Sequence, residues 1–522
     1  MTRERTTTAA AIAALLAINA WIVARLFKTE YIPWMSSIEG AYIGLSRWIQ
    51  GHWLQLGWFP QWYAGIPFEN SYPPLLHLLV AAIAQVTGLS AARSHHVVTG
   101  VAYCLGPIAL FWLVRDLSGS RWKGFIAGWL YSLVSFSAFL MPSVRGDMGT
   151  LRAGRRIEAL MGYGEGPHVT SMTLLTFALA ALHAALERPS GPRAVLAAVL
   201  AAATVLTNWH GAVALALASL ALLLARPEPR NACAVGIGVL AYALAAPWIK
   251  PSTIATVFHG AEQLGGFVMR VPQYAYLGIW LASVVALGLW LRRTRLQTAE
   301  RFGILFLALM AVPPLGWEWF HHAYPLPQAS RYHLEMEMAI AALAGVVVGV
   351  RRKWAMWAVG AVLLVLAWKQ VPVWRQYARI HLDTVDITGT LEYQTSHWLD
   401  RHLPGRRVFV MGSRQFWLNA FGDSPQLGGG FSQARTNPMI DHATFAVLAG
   451  RGDGAESACL LKAFGVRAVA VGGEHTPTRT TTFRIPGSLP ACCPKSGGTA
   501  TTPFTRFRPA TIRSSTCWIR RC

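Results

Sequence analysis

An α-helical polytopic membrane protein, with about 11 transmembrane helices and a small C-terminal α/β soluble domain, is the fold class that the sequence predicts. Three observations predict it. Of the 522 residues, 53% are hydrophobic and only 13% charged, with 22 Trp among them. Apolar runs near twenty residues recur along the chain, each long enough to cross the roughly 30 Å hydrocarbon core of a bilayer. After residue 371 the composition turns soluble and loses these runs.

A net charge of +22 raises the possibility of nucleic-acid binding, but the bases are not gathered on a soluble domain. They sit in short clusters between apolar runs, as expected of cytoplasmic loops, so no nucleic-acid partner is expected. Of the seven Cys, Cys104 and Cys233 lie inside apolar runs, Cys459 lies in the soluble stretch, and four crowd the C-terminal end. Neither metal-ligand spacing nor a disulfide framework emerges. No metal site and no cofactor are expected.

The N-terminus, "MTRERTTTAAAIAALLAINAWIVARLF", has the basic start and apolar run of a secretory signal. It lacks a small-residue cleavage site and more spans follow, so it reads as an uncleaved first helix. Further runs fall at 97–114, 124–141, 167–187, 194–208, 210–225, 232–249, 275–291, 303–318, 335–350 and 354–370. The stretch 74–88 is shorter and opens "YPP", which suits a helix lying along the interface. With 74–88 outside the count, "MTRER", "RDLSGSRWK", "RPSGPR", "RPEPR", "RRTRLQTAER" and "RRK" all face the cytoplasm. The N-terminus is then cytoplasmic and the C-terminus periplasmic, in a bacterial inner membrane. Segments 28–96, 142–166, 250–274 and 319–334 fall outside and hold most of the Glu, Asp and His before residue 371. No internal repeat marks an inverted-repeat transporter.

The expected domains are therefore a transmembrane domain over 1–370, an α/β domain over 371–475 and a tail over 476–522. In the second, "GRRVFVMG" reads as a buried strand, and "ESACLLKAFGVRAVAVGG" as a helix, a Gly stop and another strand. It carries no catalytic motif and suits a lid or docking surface. The tail differs in kind. Its 47 residues hold eight Lys or Arg, eleven Thr, four Cys and no acid. Taking the last base of each codon with the first two of the next, "IPGSLPACCPKSGGTATTPFTRFRP" permits "NPGKFAGLLPEVWRDGDDTIYAVP". That string restores the acids and aromatics of an α/β domain. The tail reads as an out-of-frame translation, with a disordered basic tail as the other reading.

Chemistry concentrates in the outer segments. "SSIEGAYIGLSRW" (36–48) holds one carboxylate, Glu39, ahead of a helix. An acid near the bilayer is expensive to keep and points to function; the structural reading is a first-turn acid favoured by the helix dipole. "SVRGDMGTLRAGRRIEALMGYGEGPH" (143–168) places Arg145, Arg152, Arg155, Arg156 and His168 in an outer loop against the positive-inside trend. Arginine pairs bidentately with phosphate, so these are candidate phosphate ligands; a solvated or headgroup-docked loop is the other reading. Asp147 and Glu165 are further candidate acids. Arg331, His333, Glu335 and Glu337 enter the tenth span from outside. Glu335 and Glu337, two apart, cannot share a helix face, while Arg331 and Glu335, four apart, are spaced to pair. His210 reads as a satisfied turn histidine.

The stretch "QGHWLQLGWFPQWYAGIPFENSYPPLLHLL" crowds Trp53, Trp58, Phe59, Trp62, Tyr63, Phe68 and Tyr72 around four prolines. Aromatic belts are common at interfaces. The combination of an acid after the first span, "WFPQWYAGIP" and "YPPL" nevertheless resembles the first outer loop of the GT-C superfamily of membrane glycosyltransferases. Together with "GYGEGPH" and "PQASRYHLEMEMAI" it resembles a bacterial GT-C-like group named as 6-pyruvoyl-tetrahydropterin-synthase-related membrane proteins, over about residues 10–475. The resemblance implies inverting sugar transfer from a polyprenyl-phosphate donor to a glycan, lipid or protein acceptor at the outer face. It also implies Glu39 as the base, where many members carry Asp or a paired acid. A lone Glu followed by Gly argues against a metal held by neighbouring carboxylates. Tyr72, Arg331 and His333 complete the candidate substrate contacts. The rival functions are a transporter or flippase of lipid-linked glycans and a non-catalytic scaffold with the same fold.

Overall fold

The computed structural model describes residues 2–226, 231–263, 270–320, 324–348, 353–449, 454–472, 505–507 and 517–521. It is predominantly helical. Six helices are long and apolar enough to cross a membrane: Glu4–Ile22, Ala91–Ser118, Gly166–Glu187, Val271–Arg292, Thr298–Trp319 and Met356–His381. The apolar helices Leu75–Thr87, Gly191–Val205, Trp209–Ala225 and Ala232–Ala245 are shorter. The chain divides into two compact units, and the division differs from the expected domains. The first comprises Met1–Thr29, His96–Ile249 and Gly266–Leu382; the second comprises Glu30–His95, Lys250–Gly265 and Asp383–Cys522.

The first unit is built on close helix contacts that need small residues. A Cβ on Gly124 would lie 2.5 Å from the Phe111 carbonyl oxygen, and one on Gly128 2.7 Å from that of Pro107. Specific polar bonds also join the helices. Asn19 Nδ2 donates to Ser132 Oγ at 2.9 Å in a fully buried setting. Local sequence explains several ends: Asn208 accepts from His210 N and Gly211 N and starts Trp209–Ala225. Gln297 and Glu300 form a reciprocal capping box at Thr298–Trp319.

The span expected over 124–141 is interrupted. It runs as Arg121–Leu133, then Phe136–Leu140, then Pro142–Met148. The break has a partner elsewhere in the chain. Glu337 Oε1, fully buried, accepts from Ser137 N at 3.1 Å and from Ser137 Oγ at 2.5 Å. A helix that restarts inside an apolar core leaves orphan N–H groups, and this carboxylate satisfies one of them.

In the second unit, the helix Glu39–Gly51 packs against Arg414–Phe421. Glycine makes the approach possible: a Cβ on Gly40 would sit 2.5 Å from the Trp417 ring, and one on Gly44 3.0 Å from the Asn419 backbone. The "WFPQWYAGIP" stretch forms a two-strand hairpin, pairing Trp58 with Pro67 and Phe59 with Ile66. Its turn places Tyr63, Ala64 and Gly65 all at positive φ. The hairpin bonds to 424–430 through Gln426 N to Gln61 O at 2.8 Å and Tyr63 N to Gly428 O at 3.1 Å. The expected boundary at 370 therefore does not separate loop from C-terminal stretch, because the aromatic motif is part of the C-terminal stretch's packing.

Strands Arg407–Val410 and Val466–Gly472 pair in parallel, with helices between them in sequence. Thr505–Phe507 and Cys517–Arg521 extend this sheet antiparallel. The remainder of 476–522, and with it most of the out-of-frame reading, lies outside the described residues.

Candidate functional site

A cavity of about 410 Å³ opens in the first unit, lined by Asp147, Arg155, Tyr163, Glu165, Arg331 and His333 among others. Its walls come from segments that lie between long helices. Pro142–Met148 carries Asp147, the short helix Arg155–Ile157 carries Arg155, and the 3₁₀ turn Ala329–Tyr332 carries Arg331. Proline at the first turn starts Gly166–Glu187 just after Glu165, without a side-chain cap.

Arg155 is the centre of the arrangement. Its Nη1 lies 2.5 Å from Asp147 Oδ2, in an ion pair whose arginine is buried and whose carboxylate reaches solvent. Its Nε donates to His333 Nε2 at 2.9 Å, and its backbone N–H donates to Ser135 Oγ at 2.8 Å. Since His333 Nε2 accepts, the ring proton sits on Nδ1, which donates to Ser330 O at 2.7 Å. Asp147 Oδ2 also accepts the Tyr163 hydroxyl at 2.5 Å. Burial first, and the Asp147 contact second, push the Tyr163 phenol up to about 12.

Around this centre the other charges are paired as well. Arg331 Nη1 meets Glu165 Oε1 at 2.9 Å. His168 Nε2 meets the fully buried Glu335 at 2.7 Å, and the His210 ring lies 5.7 Å from that of His168. Behind Arg155, Glu158 is held by Tyr377 and by His381 Nε2 at 2.8 Å. Burial opposes ionisation of Glu158, but the bonds from His381 and Tyr377 outweigh it and hold the carboxyl below its ordinary range.

The structure thus brings together Asp147, Arg155, Glu165, His168, Arg331 and His333. It places the other expected residues elsewhere. Arg156, expected as a phosphate ligand, is turned into the protein: it is 1% exposed and its guanidinium lies 4.2 Å from both the Tyr103 and Tyr131 rings. Its Nη2 donates to Tyr103 O at 2.7 Å. Arg145 and Arg152 are exposed and do not line the cavity. The expected Arg331–Glu335 pair does not form. Arg331 lies in the 3₁₀ turn before the helix, where α-helical i, i+4 spacing does not hold. Glu335 and Glu337 do point to different partners, His168 and Ser137.

Glu39 and Tyr72 belong to the second unit. Glu39 is 1% exposed and is the first residue of Glu39–Gly51, whose N-cap, Ile38, supplies no side-chain bond. Tyr72 packs on Tyr42 at 5.0 Å and on Phe431 at 5.2 Å between ring centroids. Among the described residues, no three His, Cys, Asp or Glu are grouped to hold a metal ion. Tyr163 was missed as a cavity residue, although it stands between two glycines in the quoted "GYGEGPH".

No family model and no curated protein matches this sequence. Solved structures do match its fold. The oligosaccharyltransferase of Archaeoglobus fulgidus, tethered with an acceptor peptide, aligns over 89% of this chain and 69% of its own, with TM-score 0.57 and 11% identity. ArnT from Cupriavidus metallidurans aligns over 99% of this chain and 98% of its own, with TM-score 0.51 and 13% identity. This chain has a GT-C-like fold. The mycobacterial arabinofuranosyltransferase AftD also aligns, over 98% of this chain at TM-score 0.50 and 17% identity, though this chain spans only 40% of that larger protein.

Proposed function

We propose that this protein is an integral inner-membrane glycosyltransferase that moves a sugar from a polyprenyl-phosphate donor to an acceptor at the periplasmic face. The observation that carries the reading is the cavity of Asp147, Arg155, Glu165, Arg331 and His333 in a GT-C-like fold. Cations held by packing and hydrogen bonds are suited to the charge that develops on a departing phosphate. In support, one of the fold relatives was solved with a dolichol-phosphate. The proposed topology keeps eleven spans, a cytoplasmic N-terminus and a periplasmic C-terminal α/β domain.

The proposed reaction is an inverting displacement. The acceptor hydroxyl oxygen attacks the anomeric carbon, a carboxylate takes its proton, and the bond from that carbon to the phosphate oxygen breaks. The electron pair leaves with the polyprenyl phosphate, stabilised by Arg155 and Arg331. A positioned base contributes about 10²–10⁴-fold. Glu39 is the base that the GT-C resemblance proposes, while Asp147 and Glu165 are the acids that line this cavity.

The test is release of polyprenyl phosphate from a panel of lipid-linked sugars in nanodiscs, comparing the wild type with Glu39→Gln, Asp147→Asn and Glu165→Gln. The base is the residue whose loss lowers turnover at least about 10²-fold while donor binding persists. Donor binding without turnover by any form would favour a carrier of lipid-linked glycans or a scaffold that retains the fold.

A further inference from the structure

A second cavity, of about 690 Å³, lies among Gly166–Glu187, Gly191–Val205, Trp209–Ala225 and Asn231–Ala245, with Arg292 at one end. Its lining includes eight alanines and one glycine, and its only polar side chains are Ser219, Tyr242 and Arg292. The space exists because the sequence places small residues on facing helices. Of its lining residues Val235 is 63% and Tyr242 45% exposed, and apolar surface of this kind on membrane helices faces lipid.

The dimensions match one hydrocarbon chain. Lining residues run from Ala234 to Ala245 on one helix and from Ala212 to Leu224 on another. At 1.5 Å per residue each stretch is about 17–18 Å long. That is close to the roughly 15 Å depth of a single leaflet's hydrocarbon layer.

The groove also has a charged end. Arg292 donates Nε to Leu224 O and Nη2 to Leu223 O, both at 2.8 Å. These bonds cover the last carbonyls of Trp209–Ala225 and fix the guanidinium at the cavity mouth. Among the described residues Nη1 of Arg292 has no partner, and the exposed Arg293 and Arg295 form no ion pair. Arg226, nearby in sequence to the same helix end, is neutralised by Glu187 at 2.7 Å. The cationic excess therefore sits at Arg292, Arg293 and Arg295, where an anionic headgroup would neutralise it.

We propose that this groove holds one acyl chain of an anionic glycerophospholipid from the adjacent leaflet, with the phosphate on Arg292, Arg293 and Arg295. The apolar groove recognises the chain, and the arginines distinguish an anionic head from a zwitterionic one. The site is separate from the cavity around Arg155 and does not depend on the transferase reading.

Gly238 provides the test. It lines the groove, and a Cβ built on it meets no atom within 4 Å. Gly238→Leu therefore starts its side chain in open space and projects it as bulk beside the groove. The full-length protein is released from nanodiscs of equimolar phosphatidylglycerol and phosphatidylcholine, and retained lipid is counted by native mass spectrometry. The expected wild-type result is one retained phosphatidylglycerol, preferred at least about fivefold over phosphatidylcholine. Gly238→Leu should lower retention at least about fivefold, and Arg293→Gln/Arg295→Gln should bring the two lipids to near parity. Ala241→Leu serves as a second filling variant if Gly238→Leu melts early. Equal retention of both lipids by the wild type, undiminished retention in a folded filling variant, or displacement by added polyprenyl phosphate would overturn the assignment.

Discussion

Arg155 and His333, 178 residues apart, are joined by a 2.9 Å hydrogen bond from Nε to Nε2. The bond orients the guanidinium so that Nη1 faces Asp147, and it keeps His333 in one neutral tautomer. Lysine cannot make both contacts, because it is a point charge without the planar fork. Arg155→Lys is expected to weaken donor binding about tenfold or more, and His333→Gln to weaken it less, because Arg155 keeps Asp147. Titration of each variant with polyprenyl phosphate checks this order. Equal binding by wild type and Arg155→Lys would remove Arg155 from the site.

Arg156 should behave in the opposite way. It is clamped between two tyrosine rings and bonded to the Tyr103 carbonyl. Arg156→Met is expected to cost roughly 2–4 kcal/mol of stability through lost cation–π contact and an unsatisfied carbonyl. Donor affinity should stay within about twofold. Thermal unfolding in detergent alongside donor titration separates the two effects.

Glu158 gives a pH signature. Its folded-state pKa lies below the ordinary value of about 4.3. Its contribution is therefore present above that value and is lost as pH falls through the folded pKa. Glu158→Gln should lower the apparent melting midpoint at pH 7, with a cost of about 1.5–3 kcal/mol for bonds to a charged group. The gap between variant and wild type should shrink as pH drops below about 4. A gap that is constant from pH 7 to 3 would show that the Glu158 charge contributes nothing.

Two glycines of one helix should respond with opposite signs. Gly40→Ala drives a Cβ to 2.5 Å from the buried Trp417 ring, and overpacking of this kind costs about 1–3 kcal/mol. Gly51→Ala meets nothing within 4 Å and should be neutral or stabilising by up to about 1 kcal/mol. Melting midpoints of both variants, measured side by side, test whether the helix Glu39–Gly51 is anchored through Trp417.

The out-of-frame reading of residues 476–522 is decided at the level of DNA. Resequencing the locus is expected to find a one-base change near codon 476 and, past it, a frame encoding "LLPEVW" in place of "CCPKSG". An unchanged sequence, with the same frame intact in related strains, would return this tail to the status of evolved protein.

The long apolar helices were legible in the sequence, because hydrophobic run length is a local quantity. So was the opening of a helix at Glu39, and the short helix after "YPP". Which outer residues meet was not legible. Arg155 and Arg156 are adjacent on a helix of three residues, too short for any periodicity to say which one faces the cavity. The interruption within 124–141 depends on a carboxylate 200 residues away, and a local hydropathy reading has no access to that distance. The aromatic outer motif looked like an interface belt or a substrate loop; its backbone bonds to 424–430 and the glycine contacts at Gly40 and Gly44 arise only when distant segments pack. Local composition determined that this chain forms helices long and apolar enough to cross a membrane. Long-range packing and pairing of buried charges decided which of its many arginines and acids face one another.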